Sequence, residues 1–174
     1  AVPFAGINAT RSGHMRSSVN TQDPGAVQSE VEACYRALYP QADRAFVSQA
    51  FSWALNCFTG RYRDYQPIDA RYHDLEHTLQ GTLCMTCLLE GRHFAGAQPA
   101  LTERMFRLGL LAILLHDTGY LKRKEDREGT GAKYTLIHVH RSAEFAAVLL
   151  AEQGYGPKDI LAVQNMIRCT GVNA

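Results

Sequence analysis

The feature that most constrains this fold is an apolar segment at residues 108–115 that ends directly in the pair His116-Asp117. The segment is apolar nearly all round a helical cycle, which is typical of a helix in the centre of a domain. It is far shorter than the roughly 18 to 20 residues that cross a bilayer. A buried imidazole beside a buried carboxylate costs free energy unless each group has a partner. The sequence therefore predicts a central core helix whose polar end requires a partner.

Helical periodicity extends over most of the chain. Apolar residues recur at spacings of three and four in several segments, and no β-alternation of useful length competes with them. Asp23-Pro24 is a helix-start signal, and Gly60 is typical of a helix end. We predict an all-α fold, a bundle of about six helices. Their expected bounds are about 24–38, 42–58, 73–90, 102–116, 135–153 and 157–169.

Composition narrows the class of protein. The chain has 174 residues, of which 46% are hydrophobic, and this length favours a single domain. Its 18 basic and 17 acidic residues give a net charge of +1, so we expect neither nucleic-acid nor membrane binding. Five cysteines without a secretory signal favour reduced thiols and a cytoplasmic location. Cys84 and Cys87 form a CxxC motif within an apolar helical run, and we expect both to be buried thiols.

Two stretches lack a helical pattern. Residues 1–22 are rich in Gly, Ser, Asn and Thr, which predicts a flexible N-terminal tail ahead of a helical domain at 23–174. The dipeptide His14-Met15 resembles a junction with a cloning vector, so part of this tail is expected to be vector-derived. Residues 122–132 are charged and then glycine-rich, and we predict a solvated surface loop rather than a phosphate-gripping lid.

Histidines cluster at the predicted helix ends. Five of the seven lie there: His73, His77, His116, His138 and His140. His73 and His77 are four residues apart and share one face of a helix. A divalent cation binds neutral imidazole nitrogen and carboxylate oxygen together, which offsets the cost of burying both. The pattern therefore predicts a metal site that includes His116-Asp117.

Two motifs in this order resemble a known superfamily. They are Arg71-Tyr-His-Asp-Leu-Glu-His-Thr78 and Leu114-Leu-His-Asp-Thr-Gly-Tyr120. Together they resemble the HD-domain metal-dependent phosphohydrolases, and the first is most similar to the cyclic-nucleotide phosphodiesterase branch. The resemblance covers about residues 70–170. It implies an HD-type helical bundle that hydrolyses a phosphomonoester or phosphodiester, such as a nucleotide, with one or two divalent ions (Mg, Mn, Zn or Fe).

The resemblance also implies roles for individual residues. His77, His116 and Asp117 resemble ligands of a first metal, and Asp117 would bridge to a second. His73 resembles the residue that protonates the departing oxygen, so His73 and Asp117 are the expected catalytic residues. A histidine suits that role because its ordinary pKa lies near neutral pH.

The predicted fifth helix offers further candidates. Its motif His138-Val-His-Arg-Ser142 resembles the segment that supplies second-metal ligands in many HD proteins. We prefer His138 to His140, because Ser142 and Phe145 continue the face of His138 as an apolar stripe. Arg141 is a candidate phosphate clamp, and a surface salt bridge is the competing interpretation. Tyr120 is a second candidate substrate-binding residue.

The sequence also departs from the phosphodiesterase pattern. Tyr120 stands where those enzymes have a histidine, and Asp74 where asparagine is usual, so strict cyclic-nucleotide specificity is not expected. The last metal ligand of the superfamily is an aspartate on a later helix, and Asp159 lies too early, so we expect the domain to be C-terminally incomplete. Two other functions stay open: an HD-fold di-iron oxygenase, and a catalytically degenerate HD regulatory module.

Overall fold

A computed structural model describes residues 19–171 of the chain. Nearly all of the expected tail, including the suspected vector junction, lies outside this range. Residues 19–22 belong to the folded part: Val19 packs against the core, and the hydroxyl of Thr21 donates to Glu76 Oε1 at 3.2 Å. The contacts of the described domain therefore extend a few residues ahead of the first predicted helix.

The prediction of an all-α fold is confirmed. Over residues 19–171 the chain forms six α-helices and no strand, apart from a single bridge between Tyr65 and Arg123. The helices are α1 (Pro24–Leu38), α2 (Phe46–Phe58), α3 (Leu75–Phe94), α4 (Glu103–Leu115), α5 (His138–Glu152) and α6 (Pro157–Arg168). Two short 3-10 turns lie between α4 and α5, at Thr118–Tyr120 and Gly131–Tyr134.

Side-chain caps explain where several helices begin. Asp23 accepts a hydrogen bond from the backbone N–H of Gly25 at 2.9 Å, and Pro24 occupies the first turn of α1. Asp74 caps α3 in the same way by accepting from the N–H of His77 at 2.9 Å. Because Asp74 is the cap, α3 begins at Leu75 and not at the predicted residue 73. His73 consequently lies just outside the helix that carries His77.

Helix α4 forms the centre of the core, as predicted. Leu110, Leu111, Leu114 and Leu115 are each at most 1% exposed, and α4 packs against α2, α3 and α6. Full burial of one such side chain contributes about 1.5–3 kcal/mol. This packing fixes the position of the polar pair at the end of α4. No helix of residues 19–171 is both long and apolar enough to cross a membrane.

The prediction that Cys84 and Cys87 are buried is wrong, because both thiols are exposed on α3. The buried face of α3 is formed instead by Leu79 and by threonines, including Thr82 and Thr86. The hydroxyls of Thr82 and Thr86 donate to backbone carbonyls four residues earlier, so the burial of these two side chains leaves no unpaired donor. Because polar threonines occupy the core positions of α3, residue polarity does not reveal that the cysteines lie on the exposed face.

The charged loop at 122–132 is largely exposed, as predicted. Gly131 and Lys122 are the exceptions: Lys122 is 5% exposed, and its Nζ lies 3.0 Å from Asp69 Oδ2. The same Nζ donates to the carbonyl of Gly129 at 2.6 Å. One buried cation therefore ties the beginning and the end of the loop to the segment before α3.

Candidate metal centre

Four parts of the chain converge at the C-terminal end of α4. His73 comes from the segment that precedes α3, and His77 from the first turn of that helix. His116 and Asp117 follow the last residue of α4, and His138 is the first residue of α5. Core packing of α4 and the Asp74 cap of α3 therefore determine how these side chains meet.

The carboxylate of Asp117 is the centre of this group. It is 1% exposed, and one of its oxygens, Oδ2, faces three imidazole nitrogens. The distances from Oδ2 are 3.0 Å to His73 Nδ1, 3.3 Å to His116 Nε2 and 3.7 Å to His77 Nε2. Ligand atoms about 2.1 Å from a shared ion lie roughly 3 to 3.5 Å from each other. The distances to His73 and His116 lie in this range and the distance to His77 is slightly longer, so the spacing is close to that around a divalent transition-metal ion.

The potential ligand atoms of His73, His77 and Asp117 all lie within 4.8 Å of one another. Neutral imidazole and carboxylate are the donors preferred by Zn, Fe and Mn. The described residues therefore include a group with the chemistry and the spacing to hold a metal ion. His116 lies beside this group, since its ring centroid is 5.8 Å from that of His77.

The tautomers of two histidines are set by backbone carbonyls. His116 Nδ1 lies 2.8 Å from the carbonyl of Ile113, and His138 Nδ1 lies 2.6 Å from that of Thr135. A carbonyl can only accept, so Nδ1 carries the proton in each neutral ring and Nε2 retains its lone pair. Metal-binding histidines are commonly oriented by this kind of contact.

His73 is held differently. Its Nδ1 lies within hydrogen-bond distance of the Asp117 carboxylate, which favours a proton on Nδ1 and leaves Nε2 on the other side of the ring. The side chain is 36% exposed, so solvent and small molecules can reach it. A carboxylate that orients an imidazole through Nδ1 prepares Nε2 for proton transfer.

The ring of Tyr120 packs against two of the histidines. Its ring stacks on His73 with 4.4 Å between centroids and on His138 with 4.5 Å. Burial raises the pKa of its hydroxyl, so the phenol stays neutral near pH 7. The side chain is 1% exposed, and its main contact with the site is through the ring face.

The two histidines of α5 face in different directions. The ring of His138 lies 5.7 Å from that of His73, between centroids. His140 is exposed and pairs with Glu144, with 3.0 Å between Nε2 and Oε1. The structure therefore brings His138, and not His140, to the histidine group.

Arg141 contacts the backbone that follows Asp117. Its Nε donates to the carbonyl of Gly119 at 2.8 Å, and one terminal nitrogen donates to that of Leu121 at 3.0 Å. The sequence suggested a phosphate clamp or a surface salt bridge, and these backbone contacts were missed. A glycine two residues after the HD pair was the available signal, since it permits close approach of another helix.

Asp159, the late aspartate of the sequence, lies in the first turn of α6 and forms an ion pair with Arg104. It is not a member of the histidine group. Within residues 19–171, the acidic ligand of this group is therefore Asp117.

Comparisons with protein-family models, curated proteins and solved structures found no significant match for this chain. The resemblance to HD phosphohydrolases therefore rests on the two motifs and their spacing. The case for a metal site has a second and independent basis, which is the geometry around Asp117.

Proposed function

We propose that this protein is an HD-type, divalent-metal-dependent phosphohydrolase that cleaves a phosphomonoester or phosphodiester, such as a nucleotide. The observation that carries the proposal is the convergence of three imidazole nitrogens within 3.7 Å of one buried carboxylate oxygen of Asp117. The two sequence motifs supply these residues in the order that is typical of HD phosphohydrolases. The near-zero net charge supports a small-molecule substrate, and the five cysteines favour a cytoplasmic location.

By the motif resemblance, His77, His116 and Asp117 would hold the ion, and His138 would serve a second ion. A bound divalent cation lowers the pKa of a coordinated water and neutralises charge on the phosphoryl oxygens. The side chains of His73 and His77 are 36% and 48% exposed. A phosphate ester can therefore approach the group from solvent.

His73 would act as the proton donor to the leaving oxygen. Asp117 holds its Nδ1 at 3.0 Å, so the Nε2–H of the doubly protonated ring would donate the proton and the ring would keep its Nδ1 proton afterwards. The stacked ring of Tyr120 restricts rotation of this imidazole and keeps Nε2 in place. This arrangement gives His73 a function that differs from metal binding.

An activity screen tests the proposal. Purified protein is assayed for release of phosphate or p-nitrophenolate from p-nitrophenyl phosphate, bis-p-nitrophenyl phosphate, and linear and cyclic nucleotides. Each assay contains Mg²⁺, Mn²⁺, Zn²⁺ or Fe²⁺, or EDTA. We expect hydrolysis, and we expect EDTA to abolish it. The control variant His140→Ala changes an exposed histidine outside the group and should leave hydrolysis intact.

Two outcomes would overturn the proposal. Oxygen consumption by the iron-loaded protein without any hydrolysis would indicate the di-iron oxygenase. Metal binding without turnover of any of these substrates would indicate the regulatory module. In both cases the metal centre would stand and the hydrolytic function would be wrong.

A further inference from the structure

Two adjacent residues of α5 bind the same glycine of the turn that follows Asp117. The N–H of Gly119 donates to Ser142 Oγ at 2.8 Å, and its carbonyl accepts from Arg141 Nε at 2.8 Å. Ser142 is fully buried. Both backbone polar groups of Gly119 are therefore fixed by a helix that lies more than twenty residues further along the chain.

The fit between this turn and α5 is close. A Cβ atom at position 119 would lie 2.0 Å from the carbonyl oxygen of His138 and 2.8 Å from Ser142 Oγ. The backbone oxygen cannot move away without displacing the first turn of α5. Glycine is therefore required at position 119, and the turn has little freedom to shift relative to His138.

Arg141 extends this contact to the end of the turn. One terminal nitrogen donates to the carbonyl of Leu121 at 3.0 Å, and the guanidinium lies 3.6 Å from the ring centroid of Tyr134. A planar guanidinium presents several donors in a fixed geometry and stacks on aromatic rings, whereas a lysine ammonium is a single flexible point charge. The contact therefore requires arginine and not merely a positive charge.

The position of α5 links this contact to the metal centre. The helix begins with His138, which lies beside His73, and one turn later Arg141 and Ser142 hold the backbone that carries Asp117. Arg141 also lines a cavity of about 340 Å³ together with Thr118 and Gly119, and none of the candidate metal ligands lines that cavity. The guanidinium thus faces a cavity that none of these histidines lines.

We propose that Arg141 and Ser142 are positioning residues, which lock the 117–121 turn so that Asp117 Oδ2 faces the imidazoles at a fixed distance from His138. The assignment rests on the proposed metal-dependent function and replaces a direct contact of Arg141 with substrate phosphate. Residues that orient metal ligands typically affect metal affinity by 10- to 100-fold.

Binding of Co²⁺ and amide hydrogen exchange test the assignment. We expect Arg141→Ala and Ser142→Ala to weaken Co²⁺ binding by about tenfold or more and to alter the visible spectrum of the bound Co²⁺. Amides of residues 117–121 should exchange faster in both variants without any metal. The matched control is Arg63→Ala, because Arg63 lines the same cavity and stacks on Tyr62 but pairs with Glu152.

Arg141→Lys separates geometry from charge and guards against a simple folding defect. We expect this variant to melt near the parent temperature and to show the same weak Co²⁺ binding as Arg141→Ala. Full rescue by lysine, or parent-like exchange at 117–121 in Arg141→Ala, would overturn the assignment. If the parent binds no Co²⁺, the proposed function and the metal role of the turn both fail, and the exchange data still decide whether Arg141 holds the backbone.

Discussion

We expect Asp117→Ala to abolish both metal binding and hydrolysis. The substitution removes a negative charge and an oxygen that faces His73, His77 and His116 at 3.0–3.7 Å. The residue is 1% exposed, so water cannot easily replace the lost carboxylate in the same position. Elemental analysis measures the loss of metal, and phosphate release measures the loss of hydrolysis.

Asp117→Asn and Asp159→Asn serve as companions to this variant. Asp117→Asn keeps the volume of the side chain and removes its charge, and we expect it to lose metal as well. Asp159 pairs with Arg104 at the start of α6, so its variant should retain both metal and activity. Parent-like metal content in Asp117→Ala would contradict the assignment of this residue as a ligand.

The second large effect concerns His73. We expect His73→Ala to retain its metal and to hydrolyse its substrate about 10²- to 10⁴-fold more slowly, the usual scale of general acid–base catalysis. The reason is that His73 Nδ1 is engaged by Asp117 and leaves Nε2 for proton transfer. The rate constant kcat and the metal content are measured on the same preparation.

Leaving-group chemistry sharpens this test. A p-nitrophenolate departs without needing a proton, whereas an alkoxide needs one. The rate defect of His73→Ala should therefore be small for p-nitrophenyl phosphate and large for an alkyl ester, with His140→Ala close to the parent for both. Equal metal loss in His73→Ala and His77→Ala would show instead that His73 is a ligand.

The helices were predictable because their signals are local. The apolar run of α4 and the Asp23-Pro24 start signal of α1 depend on residues within one or two helical turns. The outer face of α3 was not predictable in this way. Thr82 and Thr86 can be buried because their hydroxyls bond to carbonyls of their own helix, whereas residue polarity alone suggests that Cys84 lies inside.

The site residues likewise divide into those with local sequence signals and those that depend on long-range packing. The two motifs identified His77 and His116-Asp117 as candidate metal ligands. The helical face shared with Ser142 favoured His138 over His140. The contact of Arg141 and Ser142 with Gly119 joins residues more than twenty positions apart. It depends on how α5 lies against the turn after α4, and no periodicity or short motif reports that packing.

Metal titration of the folded, metal-free parent tests the central claim most directly. Thermal unfolding is followed by circular dichroism with and without Mn²⁺, Zn²⁺ or Fe²⁺ at a hundred times the dissociation constant from calorimetry. We predict at least one bound equivalent and a stabilisation of about 2.7 kcal/mol, or roughly 5–10 °C in Tm for a domain of this size, both absent in Asp117→Ala. A folded parent that binds none of these ions, or an Asp117→Ala variant that binds them equally, would contradict the account.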